Sequence, residues 1–256
     1  MIQQAYELRH VHTRDHGRLH LGATASGDFL RPGVTTVLDR GGPEQPWLAE
    51  WRARVGEEEA ERIRLDATDR GTCLHALIES HLTGSPVIVP DSAYALGVPD
   101  RDRIAGMFSK VEPVLESIVE TLGVELVAQW HDPTGAAGIV SNGFAGSIDC
   151  VALLDFEDGR GPVPAVVDWK TSAKQKREDR LGNYRMQVAA YRAALLATYP
   201  TIGEIRDAVI CIVPEQGEVQ LVHIPEDEFH PLELGFMERL ECFYERLGWP
   251  PELQDA

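Results

Sequence analysis

The middle of the chain alternates apolar runs with single carboxylates, a pattern that predicts two neighbouring β-strands. Residues 146–154 read GSIDCVALL, and after a turn rich in glycine and proline residues 165–170 read AVVDWK. Side chains two residues apart in a strand face the same side, so Asp168 and Lys170 are expected to point together. Pairing of the two strands as a hairpin can then bring Asp149 beside Asp168.

Apolar positions at helical spacing surround this strand pair. The predicted helices cover residues 47–64, 69–82, 101–122, 180–199 and 226–247, and the other predicted strands cover residues 124–130, 207–213 and 219–224. Residues 84–99 and 132–143 are interrupted by glycine and proline and are predicted to be loops. Helices flanking a central mixed sheet indicate an α/β or α+β fold, and we interpret residues 1–256 as a single domain.

The first 38 residues have a weaker pattern. A short strand pair is predicted around residues 19–23 and 29–30, and residues 34–38 fit either a strand or the start of a helix capped by threonine. This region also carries four histidines, which are His10, His12, His16 and His20. Their spacing would suit a metal ion, but we interpret them as part of a flexible polar terminus.

The carboxylates and the lysine of the strand pair suggest one kind of chemistry. Asp149 and Asp168 would offer the hard oxygen ligands that Mg²⁺ and Mn²⁺ prefer. Lys170 could orient or deprotonate a water molecule and stabilise developing negative charge. The combination favours metal-assisted hydrolysis of a phosphodiester. A D-x-K triplet alone also occurs by chance at solvated strand ends, so its neighbours must decide between these interpretations.

The distribution of charge matters more than its total. The net charge of −17 at pH 7 argues superficially against a nucleic-acid partner. However, residues 215–256 hold eleven acids and only two arginines, whereas residues 171–192 hold six lysines and arginines against two acids. A basic run is commonly a solvated face. This one directly follows the D-x-K triplet, where it could bind phosphates.

Composition and motif content exclude several classes of protein. No stretch approaches the roughly 20 apolar residues that span a bilayer, and the N-terminus lacks an apolar signal region, so a cytoplasmic location is expected. The four cysteines form no C-x-x-C pair, so we expect neither a zinc site nor an iron–sulfur cluster. A G-x-x-x-x-G-K-[ST] loop is also missing, so any helicase partner is expected to be a separate protein.

Four short motifs follow one another along the chain. Residues 70–75 read RGT-x-x-H, residues 146–149 read G-x-x-D, residues 168–172 read DWKTS, and residues 184–191 read Y-x-x-Q-x-x-x-Y. In this order and at these spacings they resemble the motifs of RecB-type nucleases in the PD-(D/E)XK superfamily. Related groups are CRISPR-associated RecB-like exonucleases and phage-encoded exonucleases. The resemblance covers residues 32–213 and implies a restriction-endonuclease-like core.

The resemblance implies a set of metal ligands. Asp149 and Asp168 match the carboxylates that bind the metal in the family. His75 matches a histidine that can supply a further ligand from a helix. The backbone carbonyl of Trp169 lies where the family usually adds an oxygen ligand. The implied cofactor is Mg²⁺ or Mn²⁺.

Two glutamates are further candidates near this metal. Glu125 lies on the strand before the hairpin, where some members of the family carry a glutamate; a role at the metal and a structural role are both open. Glu79 is four residues after His75 and could support it on the same helix, with a solvated glutamate as the alternative.

The resemblance also implies catalytic and DNA-binding residues. Lys170 matches the catalytic lysine, and Gln187 and Tyr191 match a Q-x-x-x-Y signature that could orient it. These two residues share a helical face with Tyr184, although such a face is often only core packing. The residues expected to contact DNA are Lys174, Lys176, Arg177, Arg180, Tyr184 and Arg185.

The expected function is a metal-dependent DNA exonuclease in recombination, repair or phage DNA processing, with single-stranded or duplex DNA ends as substrate. In this interpretation residues 66–213 form the catalytic core. Residues 1–65 form an N-terminal extension of strands and helix, and residues 214–256 form an acidic C-terminal strand and helix. Two alternatives stay open: a catalytically inactive accessory protein that binds nucleic acid in recombination, and a structure-specific endonuclease.

Overall fold

Two β-sheets of different size organise the part of the chain that the structure describes. The computed structural model describes residues 1–5, 7–13, 15–24, 27–43, 46–89, 100–131 and 143–247. The smaller sheet is antiparallel and contains β1 (Leu8–Thr13), β2 (Gly17–Thr24) and β3 (Gly27–Pro32), in that order. A bridge between Gly33 and Ala145 connects its end to the larger sheet.

The larger sheet has five strands in mixed orientation. In spatial order they are β4 (Glu120–His131), β5 (Gly143–Leu154), β6 (Val163–Lys174), β7 (Asp207–Gln216) and β8 (Gln220–Ile224). β6 and β7 run parallel, and the other neighbouring pairs run antiparallel. A parallel pair needs a crossover connection, which contains the helix α5 (Gly182–Thr198).

Helices cover both faces of the larger sheet. On one face lie α1 (Val34–Arg40), α5 and α6 (Glu226–Leu247); on the other lie α3 (Glu57–Thr83) and α4 (Arg101–Glu116), with α2 (Pro46–Val55) preceding α3. The first core includes Val188 and Phe236, and the second includes Leu74 and Met107. Burial of apolar surface on both faces stabilises the sheet. The predicted α+β class, a central mixed sheet flanked by helices, is confirmed.

The helix that carries His75 is longer than the sequence pattern predicts. The chain breaks after α2 at Gly56, whose φ of +88° is readily adopted only by glycine. From Glu57 to Thr83 it then forms one continuous helix through the predicted gap at residues 65–68. The long helix gives His75 a rigid support, with about five turns before it and about two turns after it.

The helix predicted over residues 101–122 is wrong at its C-terminal end. It stops at Glu116, three residues after Pro113, because the residues that follow join the sheet. The amide of Val119 donates a hydrogen bond to the carbonyl of Leu153 (3.0 Å), and β4 begins at Glu120. Strand pairing therefore overrides the helical periodicity here.

The four N-terminal histidines lie in defined structure, so the interpretation of a flexible terminus was wrong. His10 and His12 belong to β1 and His20 belongs to β2. His16 lies in the turn between the two strands, with its Nε2 atom 3.0 Å from the carbonyl oxygen of Leu247. The following helix α1 begins after Gly33 and has no threonine cap.

Other expectations concern the subdivision of the chain. The expected divisions at residues 65/66 and 213/214 fall inside α3 and β7, so they do not coincide with element boundaries. Much of the two predicted loops, residues 90–99 and 132–142, lies outside the described residues. None of the described helices combines the length and the apolar character that a membrane span requires.

Candidate metal and catalytic site

The strands β5 and β6 separate at the position of the first carboxylate. Their paired residues end at Cys150 and Val167. One residue further on, the Oδ2 atom of Asp149 accepts a hydrogen bond from the backbone amide of Trp169 (2.8 Å). The alternation of β5 also shifts at this point, because Ile148 and Cys150 belong to the cores on opposite faces of the sheet. We refer to the region between the separated strands, next to His75 on α3, as the cleft.

A cluster of one histidine and two carboxylates lies in this cleft. Ligand atoms of His75 on α3, Glu125 on β4 and Asp149 on β5 all lie within 4.8 Å of one another. The Nδ1 atom of His75 is 3.7 Å from an oxygen of Asp149. One imidazole nitrogen and two carboxylate groups form a donor set that suits Mg²⁺ or Mn²⁺. The residues therefore fit a divalent metal.

The carbonyl of Trp169 orients the imidazole of His75. Its oxygen lies 3.0 Å from Nε2 of His75 and can only accept a hydrogen bond, so Nε2 carries the proton. In the neutral ring, Nδ1 then keeps its lone pair and faces Asp149. Metal-binding histidines usually donate their other N–H to a carbonyl or carboxylate in this way. The carbonyl predicted as a metal ligand is therefore already engaged by His75.

Glu125 reaches the cluster through a local distortion of β4 that the sequence does not signal. Its φ of +48° lies in the left-handed region, which costs a non-glycine residue about 1 kcal/mol. The side chain of Gln4 spans this distortion by donating to the carbonyl of Glu125 (2.7 Å) and accepting from the amide of Val127 (3.0 Å). Ser147 donates to the carboxylate itself (2.6 Å). The position of Ser147, two residues before Asp149 on the same strand, could have predicted that it lies near the cluster. Nothing in the sequence indicates a role for Gln4.

The second carboxylate and the lysine form a separate, adjoining group. Nζ of Lys170 lies 2.6 Å from Asp168, which is fully buried, so the prediction that both point to one side of β6 is confirmed. Gln187 on α5 donates to the other oxygen of Asp168 (3.2 Å) and lies 3.1 Å from the hydroxyl of Tyr191. The ammonium of Lys170 also lies 5.4 Å from the ring centre of Tyr184, a cation–π distance.

Burial and mutual repulsion perturb the ionisation of the cluster. Desolvation, followed by repulsion from a neighbouring aspartate, raises the pKa of Glu125 and that of Asp149 to about 7 each. Burial lowers the pKa of His75, which favours the neutral ring that a metal requires. Burial also opposes the charge on Lys170, but Asp168 and Asp149 outweigh it and raise its pKa, so the lysine remains cationic.

These shifts predict a pH-dependent stability of the metal-free protein. A carboxyl whose pKa is higher in the folded state than in the unfolded state binds more protons when folded, so it destabilises the fold as pH rises. With pKa values of about 7 for Glu125 and Asp149, we expect the free energy of unfolding to fall by about 1 to 2 kcal/mol between about pH 6.5 and pH 8.5. His75 is neutral throughout this window. Thermal melting in EDTA at several pH values measures the change.

The matched variant for this experiment is Glu125→Gln. It removes one of the two titrating carboxyls, and about half of the pH-dependent loss should disappear with it. Saturating Mn²⁺ should abolish most of the loss in the wild-type protein by compensating the carboxylate charges. A wild-type melting temperature that rises over the same interval, or that matches the variant at every pH, would contradict the raised pKa values.

The remaining predicted residues are distributed around this cleft. Glu79 is exposed and outside the three-residue cluster, although its charge contributes to the raised pKa of Glu125. Arg177 forms an ion pair with Asp179, and Arg185 is paired with Glu178 and Glu228. Arg180 lies in a short 3₁₀ turn before α5 and is exposed.

Two predicted DNA contacts differ from the arginines in their surroundings. Lys174 at the end of β6 is exposed, and Lys176 in the following loop is partly exposed. Within the described residues neither lysine forms an ion pair, although the backbone of Lys176 is held on both sides by the amide of Gln220 (2.9 and 3.0 Å). The two lysines therefore provide the least compensated positive charge of the predicted set.

Comparison with known proteins supports the resemblance at the level of the superfamily. The family model of the PD-(D/E)XK nuclease superfamily matches residues 47–245. No curated protein matches the chain. Among solved structures, the crystal structure of a candidate exonuclease from Eubacterium rectale is similar, with a TM-score of 0.41 and 13% identity over 69% of this chain and 68% of that chain. Because the family model covers most of the sequence, the chain belongs to the PD-(D/E)XK nuclease superfamily.

Proposed function

We propose that the protein is a metal-dependent DNA exonuclease of the RecB-like type. The observation that carries the proposal is the connection between two groups through Trp169. Its carbonyl faces His75 and its amide donates to Asp149 of the carboxylate–histidine cluster, while Asp168 and Lys170 are its neighbours in sequence. A single strand thereby links the candidate metal ligands to the candidate catalytic lysine.

The chemistry of these residues suits hydrolysis of a phosphodiester. A divalent metal bound by His75, Glu125 and Asp149 would polarise a phosphate and lower the pKa of a bound water. Lys170 remains cationic beside Asp168 and can donate a hydrogen bond to the attacking water or to a phosphate oxygen. Gln187 donates to Asp168 and to the hydroxyl of Tyr191, and it thereby holds Asp168, and through it the lysine, in a fixed position.

Nucleic acid is the substrate class that the superfamily implies, and the surface next to the cleft supports it. Lys174 and Lys176 follow Lys170 on the same strand and its loop, so their ammonium groups can bind phosphates on one side of the scissile bond. Such contacts are independent of base sequence. They suit an enzyme that degrades DNA from its ends in recombination, repair or phage DNA processing.

The experiment that tests the function is a time course on three DNA substrates. Linear single-stranded DNA, linear duplex and a covalently closed circle are incubated with Mg²⁺, with Mn²⁺ or with EDTA. We expect metal-dependent loss of at least one linear substrate and none of the circle, because an exonuclease needs an end. Opening of the circle would indicate an endonuclease. DNA binding without cleavage of any substrate would indicate an accessory protein, and either result would overturn the proposal.

A further inference from the structure

The small N-terminal sheet has one face that is rich in basic residues. Cross-strand partners in an antiparallel sheet share a face, and the pairs His10–His20, His12–Arg18 and His20–Arg31 lie in register. The residues of this surface, which we call the histidine–arginine face, are His10, His12, Arg18, His20, Phe29 and Arg31. No carboxylate belongs to it among the residues that the structure describes.

Side-chain contacts show that these residues meet. The rings of His10 and His20 lie 4.9 Å apart, and the guanidinium of Arg31 lies 5.6 Å from the ring centre of Phe29. Burial, followed by the charge of Arg18, lowers the pKa of both His10 and His20. The side-chain contacts and the strand register are separate observations, and both place these residues on one face.

The opposite face of the sheet is used for packing. It carries Val11, Leu19, Leu21 and Leu30, of which Leu19 is fully buried. On the histidine–arginine face, by contrast, His10, His12 and Arg18 are exposed, whereas His20 is buried close to Gly33. A solvated face of a small sheet is the simplest explanation of such residues, but their charge and their location indicate a binding surface.

The charge of this region differs from that of the whole protein. The chain has a net charge of −17, whereas residues 1–40 hold five arginines, four acids and four of the nine histidines. Most of the surface of this acidic protein repels polyanions. A basic surface is therefore the region where a polyanionic partner would bind. Arginine, histidine and an aromatic ring are also the side chains that contact phosphates and stack on bases.

The histidine–arginine face is anchored to the wall of the candidate active site. The carbonyl of Arg18 accepts hydrogen bonds from the amide of Gly33 (3.3 Å) and the hydroxyl of Thr36 (2.9 Å). The residue after Gly33, Val34, packs at Gly146 together with Tyr191: a β-carbon at Gly146 would lie 3.6 Å from Val34 and 2.9 Å from the tyrosine ring.

This anchoring connects the face to β5, the strand that carries Asp149. Gly146 is three residues before Asp149, a distance of about 10 Å along a strand. Tyr191 is connected through Gln187 to Asp168. The small sheet therefore meets the cleft on the side of β5, whereas Lys174 and Lys176 extend from the end of β6.

We propose that the histidine–arginine face is a second contact surface for the phosphate backbone of the DNA that enters the cleft. This inference rests on the proposed function and assigns a substrate-binding role to a region outside the candidate catalytic residues. Arg18 is the central cation, because it pairs with His12 and lies nearest the connection to α1. Lys174 and Lys176 would hold the DNA on the other side of the cleft.

The test compares Arg18→Gln with Arg9→Gln in the full-length protein. Both variants remove one positive charge, but Arg9 pairs with Leu21 on the opposite face of the sheet. Binding of fluorescein-labelled DNA of about 20 nucleotides, single-stranded and duplex, is followed by anisotropy in EDTA over a range of NaCl concentrations. EDTA prevents cleavage, so the affinities and their salt dependence are equilibrium quantities.

We expect Arg18→Gln to weaken binding about 3- to 10-fold at low salt, and to reduce the slope of log K against log salt by about 0.7 to 0.9 for each phosphate that is no longer neutralised. At about 0.15 M NaCl, where the Debye length is about 8 Å, Arg9→Gln should stay within about twofold of wild type. His12→Ser changes an exposed position and should also weaken DNA binding. It replaces Arg18→Gln in the comparison if Arg18→Gln lowers the melting temperature of the protein.

Equal affinities and slopes for the Arg18, His12 and Arg9 variants would overturn the inference alone. Failure of the wild-type protein both to bind and to cleave DNA would overturn the proposed function as well.

Discussion

Replacing Lys170 with methionine is expected to lower the rate of DNA cleavage by about 10²- to 10⁴-fold while the protein remains folded. The ammonium is the one cation beside Asp168, as far as the structure describes the cleft, and methionine keeps most of the side-chain volume without the charge. The loss should lie in the single-turnover rate at saturating DNA and Mn²⁺, because the variant leaves the cluster of His75, Glu125 and Asp149 intact. Arg206→Gln, which removes a positive charge from an exposed loop residue before β7, is the control.

A second variant separates loss of chemistry from loss of structure. Removal of the lysine leaves Asp168 buried without its cation, which destabilises a protein by several kcal/mol in comparable sites. Lys170→Met combined with Asp168→Asn removes the unpaired charge, so the melting temperature in EDTA should recover while cleavage should not. Wild-type-like cleavage by Lys170→Met, or recovery of cleavage in the double variant, would contradict the assigned role of the lysine.

The part of the site that lies on one strand was predictable from the sequence. The period of two in residues 165–170 places Asp168 and Lys170 on one side of β6 and Trp169 on the other, and the structure confirms this arrangement. Helical spacing likewise brings Gln187 and Tyr191 to the same place on α5. In both cases the local geometry of a regular element determines which side chains meet.

The part that depends on irregular backbone was not predictable in the same way. Glu125 joins the cluster because β4 adopts a left-handed conformation at this residue, supported by Gln4 from 121 positions away in the sequence. Periodicity describes regular strands and contains no signal for such a distortion. The sequence left the role of Glu125 open, and the structure places it beside His75 and Asp149 in the candidate metal cluster, while Asp168 pairs with Lys170.

The N-terminal sheet shows a different limit of sequence analysis. Its strands are short, and the order of apolar and polar residues in β1 (LRHVHT) lacks the period of two that signals a strand. The apolar residues Leu19 and Leu21 nonetheless give one face enough burial to pack.

Trp169 leads to the second prediction with a large effect, because its backbone and its side chain have separate tasks. The carbonyl faces His75 and the amide donates to Asp149, and any residue other than proline provides both groups. The indole ring is almost completely buried in the core under α3 and α4. Among the described residues it has no hydrogen-bond partner for its N–H group. The side chain is therefore expected to determine stability, and the backbone to determine the geometry of the site.

Trp169→Ala should lower the free energy of unfolding by about 3 to 5 kcal/mol, because the cavity left by a buried tryptophan does not collapse completely. For a chain of this size the melting temperature should fall by roughly 10 °C. Trp169→Phe should cost less than about 1.5 kcal/mol, since it keeps an aromatic ring and removes an N–H that has no partner. Thermal melting and urea titration of the two variants measure the difference.

Activity should follow a different order from stability. At a temperature where Trp169→Phe is fully folded, its Mn²⁺ affinity and its single-turnover cleavage rate should lie within a few-fold of wild type, because the carbonyl and amide of residue 169 are retained. Trp169→Pro keeps the carbonyl but removes the amide that Asp149 accepts from, so it should lose metal binding even where circular dichroism shows retained structure. A large loss of Mn²⁺ affinity in Trp169→Phe would show that the indole itself organises the site, and the separation of tasks between ring and backbone would be wrong.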